Sequence, residues 1–139
     1  MCLAGSAIAA TAIVQIEPTT GQTTILKQSS DLTIDPAYLA EPTAIEFPTS
    51  NGQTAYGLLY LPKNPDFQAP ETERPPLKVK IHGGPTAQTS SSLNLALQYW
   101  TSRGFAVLDV NYRGSTGYGR AYRSQLAGQW GVADVADCD

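Results

Sequence analysis

Two β-favouring runs, residues 77–81 and 105–110, bracket a stretch of helical character, and that order constrains the fold more than anything else in the chain. Phe105-Ala106-Val107-Leu108-Asp109-Val110 is entered from Gly104, a residue suited to closing a helix. Residues 91–102 carry Leu93, Leu95, Leu97, Tyr99 and Trp100, a density of apolar side chains compatible with a helix packed on a sheet, with Ser91 or Ser92 as its cap. Strand, helix, strand predicts a parallel crossover and hence an α/β fold. The first strand, Leu77-Lys78-Val79-Lys80-Ile81, holds two lysines and is less apolar than a fully buried parallel strand.

The chain before this unit reads as antiparallel. Residues 12–17 and 22–27 flank Pro18-Thr19-Thr20-Gly21, a turn signal between alternating runs, and residues 1–7 add a third candidate strand. So few strands cannot bury both faces alone. Residues 29–42 have no period and include Asp35-Pro36 and Glu41-Pro42, so a boundary is placed there. A second hairpin is expected from residues 43–47 and 54–61 around Ser50-Asn51-Gly52, whose Asn-Gly pair tolerates positive φ. Residues 62–76 are proline-rich and read as an exposed loop. After the second parallel strand come a glycine-rich loop over residues 111–119 and a polar helix over 120–127. A Gly128-Gln129-Trp130-Gly131 break and the acid-enriched first turn of a helix over 133–139 complete the chain.

The 139 residues are 42% hydrophobic, enough for one domain's core. A net charge of -3 with nine scattered Lys and Arg supplies no field for nucleic acid. Cys2 and Cys138 stand at opposite ends without metal-ligand spacing, which reads as two free thiols in a reducing, cytoplasmic compartment rather than a zinc site or a disulfide. The opening residues lack the positive region of a signal peptide, and no run of about 18 apolar residues could span a bilayer. No metal or organic cofactor is expected.

The chemistry concentrates at His82-Gly83-Gly84-Pro85, where the chain leaves the first parallel strand. Two glycines let a substrate approach the backbone, so the N–H groups of Gly83 and Gly84 can face a developing oxyanion, as at the mouth of a hydrolase site. His82 is the single histidine and no Gly-x-Ser-x-Gly occurs, so a serine nucleophile with its own histidine cannot be assembled here. His82 is expected to brace the turn. Gly114, Gly117 and Gly119 do not reproduce a nucleotide-binding spacing, and Gly114-Ser115-Thr116-Gly117 is no nucleophile elbow because Arg113 stands where the first glycine is needed. Tyr112 and Arg113 are expected to pack or pair structurally, and Asp109 to be a structural carboxylate. Arg120 and Arg123 read as surface residues rather than contacts for a substrate carboxylate, and Trp100 and Trp130 as core aromatics.

Four successive motifs then bring a family into view: Ile81-His82-Gly83-Gly84-Pro85-Thr86; the stretch from Tyr99-Trp100 through Gly104-Phe105-Ala106-Val107; Asn111-Tyr112-Arg113-Gly114-Ser115-Thr116-Gly117-Tyr118-Gly119-Arg120; and Gly128-Gln129-Trp130-Gly131 with Asp134-Val135-Ala136-Asp137. In order and spacing they resemble the prolyl oligopeptidase family of serine peptidases, in particular its acylaminoacyl-peptidase and dipeptidyl-aminopeptidase-like branch. The resemblance implies an α/β-hydrolase sheet, incomplete here, preceded by a β-hairpin from the last blade of a β-propeller. Residues 1–30 would be the end of the propeller, 31–42 a crossing linker and 43–139 the N-terminal part of the catalytic domain. It also implies a short peptide as substrate, backbone oxyanion donation by Gly83 or Gly84, and a nucleophile, acid and histidine lying beyond Asp139, which leaves the isolated chain inactive. An esterase or lipase-like hydrolase, or a non-catalytic remnant with a binding role, are the alternatives.

Overall fold

The computed structural model describes residues 1–84 and 86–139; Pro85, which closes the His-Gly-Gly-Pro motif, lies outside the described residues. The N-terminal unit is a three-stranded antiparallel sheet in the order β1 (Cys2–Ala4), β2 (Ala12–Ile16), β3 (Thr23–Gln28). The expected turn joins β2 to β3, with Gly21 at φ 70° donating its N–H to the Glu17 carbonyl. Only Ala12 and Val14 of these strands are buried, because alternate residues of a sheet this small face solvent. Residues 29–42 then run without regular structure except for a single 3-10 turn at Pro36–Tyr38, capped by the Asp35 carboxylate.

The second unit is a four-stranded mixed sheet. Strands β4 (Thr43–Pro48) and β5 (Thr54–Tyr60) form the second hairpin, with Asn51 and Gly52 at positive φ in its turn as the Asn-Gly pair requires. Strand β6 (Leu77–Ile81), helix α1 (Leu95–Thr101) and strand β7 (Ala106–Asn111) make the crossover, and β6 pairs parallel with β7. The sheet order is β4-β5-β7-β6, so β7 sits between an antiparallel and a parallel neighbour. Two short helices, α2 (Gly119–Ser124) and α3 (Ala133–Ala136), follow.

Both faces of the sheet are covered at its centre. On one, Val107 and Tyr60 pack with Leu97 of α1 and with Ala40 of the crossing segment. On the other, Val110 packs with Tyr112, with Leu126 after α2 and with Ala133 of α3. Burial on both sides accounts for the largely apolar, β-favouring run read in the sequence of β7. Strand β6 ends the order of the described strands, and its lysines find partners on the α1 side of the sheet and within it: Lys78 Nζ sits 4.3 Å from the Trp100 ring centroid and Lys80 pairs with Asp109.

Two sequence expectations are corrected. Helix α1 is capped by Asn94, whose Oδ1 accepts from Leu97 N at 3.2 Å, and not by Ser91 or Ser92. The residues ahead of Asn94 are held outside the helix instead: the Leu93 N–H bonds the Ser6 carbonyl at 2.7 Å, and the Ser92 N–H bonds Ser90 Oγ. Trp130 is 60% exposed rather than core, since the left-handed Gly128 and Gly131 swing the intervening turn outward; Trp100 does pack against the core beneath α1.

Candidate functional site

The turn His82-Gly83-Gly84 leaves the C-terminal end of β6 next to the end of β7, because Ile81 is in register with Val110. Gly84 has φ +63°, a conformation that glycine adopts without strain. Gly83 and Gly84 are both exposed, and among the described residues a Cβ built on either would meet nothing within 4 Å. The backbone is therefore open on that side to anything arriving above the sheet.

His82 is half-buried and is held by the segment that follows β7. Its ring stacks on Tyr112, with centroids 4.5 Å apart and planes 21° from parallel. Its Nε2 lies 2.8 Å from Ser115 Oγ, and its Nδ1 lies 3.2 Å from the Gly83 carbonyl oxygen and 3.4 Å from the Tyr112 hydroxyl. The Tyr112 hydroxyl donates to the His82 carbonyl at 3.2 Å, and Ser115 Oγ donates to the Tyr112 carbonyl at 2.7 Å. Burial pushes the Tyr112 hydroxyl above the ordinary phenol range, with Asp134 and Cys138 adding to it, so it remains a donor at neutral pH.

A Ser–His separation of 2.8 Å is that of a nucleophile and its base. Ser115 is nonetheless 0% exposed, and its hydroxyl proton points at a backbone carbonyl, so no substrate carbonyl reaches it. Sequence reading singled out His82 as a brace but not Ser115 as its partner; the signal available was a serine four residues past the end of β7, next to a positive-φ glycine.

The loop over residues 111–119 is tied down from several directions. The Thr116 N–H bonds the Ala87 carbonyl at 2.9 Å, and the Thr89 N–H bonds Asn111 Oδ1 at 2.8 Å, so the stretch after the glycine turn is laced to the end of β7. Asn111 Nδ2 donates to the Tyr118 hydroxyl, Tyr118 stacks on Tyr56, and Tyr122 donates to the Asn111 carbonyl at 2.7 Å. Burial, first, and the charge of Asp137, second, push the Tyr122 hydroxyl far up, which keeps that donor protonated. Gly114 adopts φ +113°, and a Cβ there would stand 2.5 Å from Leu126 Cδ2.

Beneath the loop lies a buried ion pair that fulfils the structural role expected of Arg113. Asp137 accepts from Arg113 N at 2.6 Å, from Nε at 2.8 Å and from Thr49 Oγ1 at 2.7 Å, while Arg113 Nη2 reaches the same carboxylate at 2.8 Å. Nη2 also donates to Ser50 Oγ and to the Ala133 carbonyl. The network clips the β4–β5 turn, the loop and α3 together. Asp109 is 2% exposed and pairs with Lys80 rather than with His82, and Arg120 and Arg123 are exposed. Among the described residues, no group of three or more His, Cys, Asp or Glu side chains is placed to hold a metal ion, and no helix is long and apolar enough to cross a membrane.

Residues 91–138 match the model of the prolyl oligopeptidase family. Dipeptidyl aminopeptidase BIII of Pseudoxanthomonas mexicana is 35% identical over 88 residues, covering 62% of this chain and 13% of that protein. The acylamino-acid-releasing enzyme of Arabidopsis thaliana is 41% identical over 63 residues, covering 45% of this chain and 8% of that one. Among solved structures, a puromycin-hydrolyzing peptidase of Mycobacterium tuberculosis aligns with a TM-score of 0.94 and 43% identity over 98% of this chain and 21% of its own. A puromycin hydrolase mutant complexed with PGG aligns at 0.90 and 44% over the same shares. The chain thus spans a small part of the length of each relative, and within it residues 91–138 are similar to the prolyl oligopeptidase family.

Proposed function

We propose that this chain forms one wall of the catalytic site of a serine-type peptidase that hydrolyses short peptides by acyl transfer. The observation that carries the reading is the glycine turn at the end of a parallel strand, open to solvent and braced from behind, in a chain that aligns over 98% of its length with a puromycin-hydrolyzing peptidase. In this reading a serine outside these 139 residues attacks the scissile carbonyl carbon, and a histidine, also outside them, takes its proton. The carbonyl π electrons move onto oxygen, and the N–H of Gly83 or Gly84 donates to that oxyanion. Collapse expels the amine, which receives the proton from the histidine, and water then releases the acid from the acyl-serine. His82 supports the turn from below. Residues 1–30 are read as the end of a β-propeller, 31–42 as the linker, and 43–139 as the opening of an α/β-hydrolase domain.

The test compares the 139-residue chain with the polypeptide encoded by the gene that carries it. The longer product should hydrolyse a chromogenic peptide and be labelled at serine by an organophosphorus reagent, while the chain alone does neither. Hydrolysis by the chain alone, silenced by that reagent, would overturn the reading. An esterase preference, with simple esters cleaved and peptides spared, would move it to the lipase-like alternative.

A further inference from the structure

We infer that Ser115 is a positioning residue: its buried hydroxyl locks His82 in the Nε2–H tautomer against Tyr112, whose own hydroxyl fixes the His82–Gly83 peptide. Ser115 Oγ and the Tyr112 carbonyl oxygen stand 2.7 Å apart in a site with no solvent exposure, and two oxygens that close in a dry environment require a hydrogen between them. A carbonyl cannot supply it, so the serine hydroxyl proton is spent there. Oγ then has only lone pairs to offer toward His82 Nε2 at 2.8 Å, and that nitrogen must be the one carrying hydrogen.

The consequence falls on the other ring nitrogen. In that ring Nδ1 is a bare acceptor 3.4 Å from the Tyr112 hydroxyl oxygen and has no hydrogen to give the Gly83 carbonyl. Stacking on Tyr112 holds the ring plane, and the Tyr112 hydroxyl to His82 carbonyl bond holds the peptide entering the turn. The His82 carbonyl and the Gly83 N–H belong to one planar peptide unit, so the hydroxyl that holds this carbonyl sets the direction of the N–H on its far side. With Nε2 committed to Ser115, His82 has no lone pair there for taking a proton from a nucleophile. Its placement serves the backbone, a conclusion that rests, for its catalytic meaning, on the turn being an oxyanion wall.

Because His82 is the only histidine, the chain labelled with 15N-histidine gives one imidazole, and two-bond 1H–15N correlation reads its tautomer directly. The expected pattern is the Nε2–H tautomer in the unmodified chain and exchange between tautomers in Ser115→Ala. An Nδ1–H pattern, or an equal mixture, in the unmodified chain overturns the inference without any variant needing to fold. In the longer gene product, Ser115→Ala should lower kcat roughly 10-fold or more with KM unchanged, the effect of a slightly misaimed donor. If the tautomer is as expected and kcat does not move, the lock stands and the oxyanion reading of the turn fails; if the tautomer is wrong, the lock fails and the oxyanion reading is untouched.

Discussion

Replacing Asp137 with alanine should be the most damaging single change in the chain. The Asp137 carboxylate has no solvent exposure and receives Arg113 N, Arg113 Nε, Arg113 Nη2 and Thr49 Oγ1. Its loss strands a guanidinium in a residue that is 6% exposed, with Ser50 Oγ and the Ala133 carbonyl as its remaining acceptors. Removing one partner of a buried pair costs about 3–5 kcal/mol, and the two retained neutral acceptors place this case near the middle, about 4 kcal/mol. With a urea slope of about 1.5–2 kcal/mol per molar, the unfolding midpoint should fall by roughly 2–3 M. The assay is urea unfolding followed by tryptophan fluorescence, in a Val79→Lys background that blocks edge pairing by β6. Arg113→Met combined with Asp137→Ala should recover at least about 2 kcal/mol, because no unpaired charge is then left inside. A single-variant loss below about 1 kcal/mol, or a double variant worse than the sum of its parts, would refute the reasoning.

Three further outcomes are expected. Gly114→Ala should cost about 2–4 kcal/mol, combining an unfavourable φ of +113° with a Cβ 2.5 Å from Leu126; an unchanged midpoint in the same urea assay would contradict the close approach. Leu77, Val79 and Ile81 are 56, 41 and 52% exposed on an unpaired edge, so the chain should associate as concentration rises and Val79→Lys should suppress this by light scattering; a concentration-independent monomer before substitution would argue otherwise. Burial, with the charges of Asp137, Asp134 and Asp139, pushes the Cys138 thiol up and reduces its thiolate at pH 8, whereas Cys2 is exposed. A disulfide reagent should therefore modify Cys2 first and reach Cys138 at a comparable rate only at higher pH or on unfolding; equal rates at pH 8 would show that the thiol is not shielded.

Much of the architecture was legible in local signals. Turn chemistry at Gly21 and at Asn51-Gly52, the β-favouring run of β7 and the glycine after α1 are all local preferences, and each lies where expected. The helix cap was misread because Ser90 and Ser92 bond each other and Leu93 bonds the N-terminal unit, neither of which is visible from residue type. Trp130 was misread because its exposure depends on the direction in which the flanking glycines turn the chain.

The amino-acid order alone determined the parallel crossover and the glycine turn at its first strand, since periodicity and backbone freedom are properties of neighbouring residues. Only the tertiary structure decided that β7 lies between β5 and β6, that Asp137 closes on Arg113 from 24 positions away, and that Ser115 meets His82 across 33. The physical reason is that a buried charge or hydroxyl takes its partner from whatever side chain the folded backbone sets within about 3 Å, a distance that no spacing along the chain encodes.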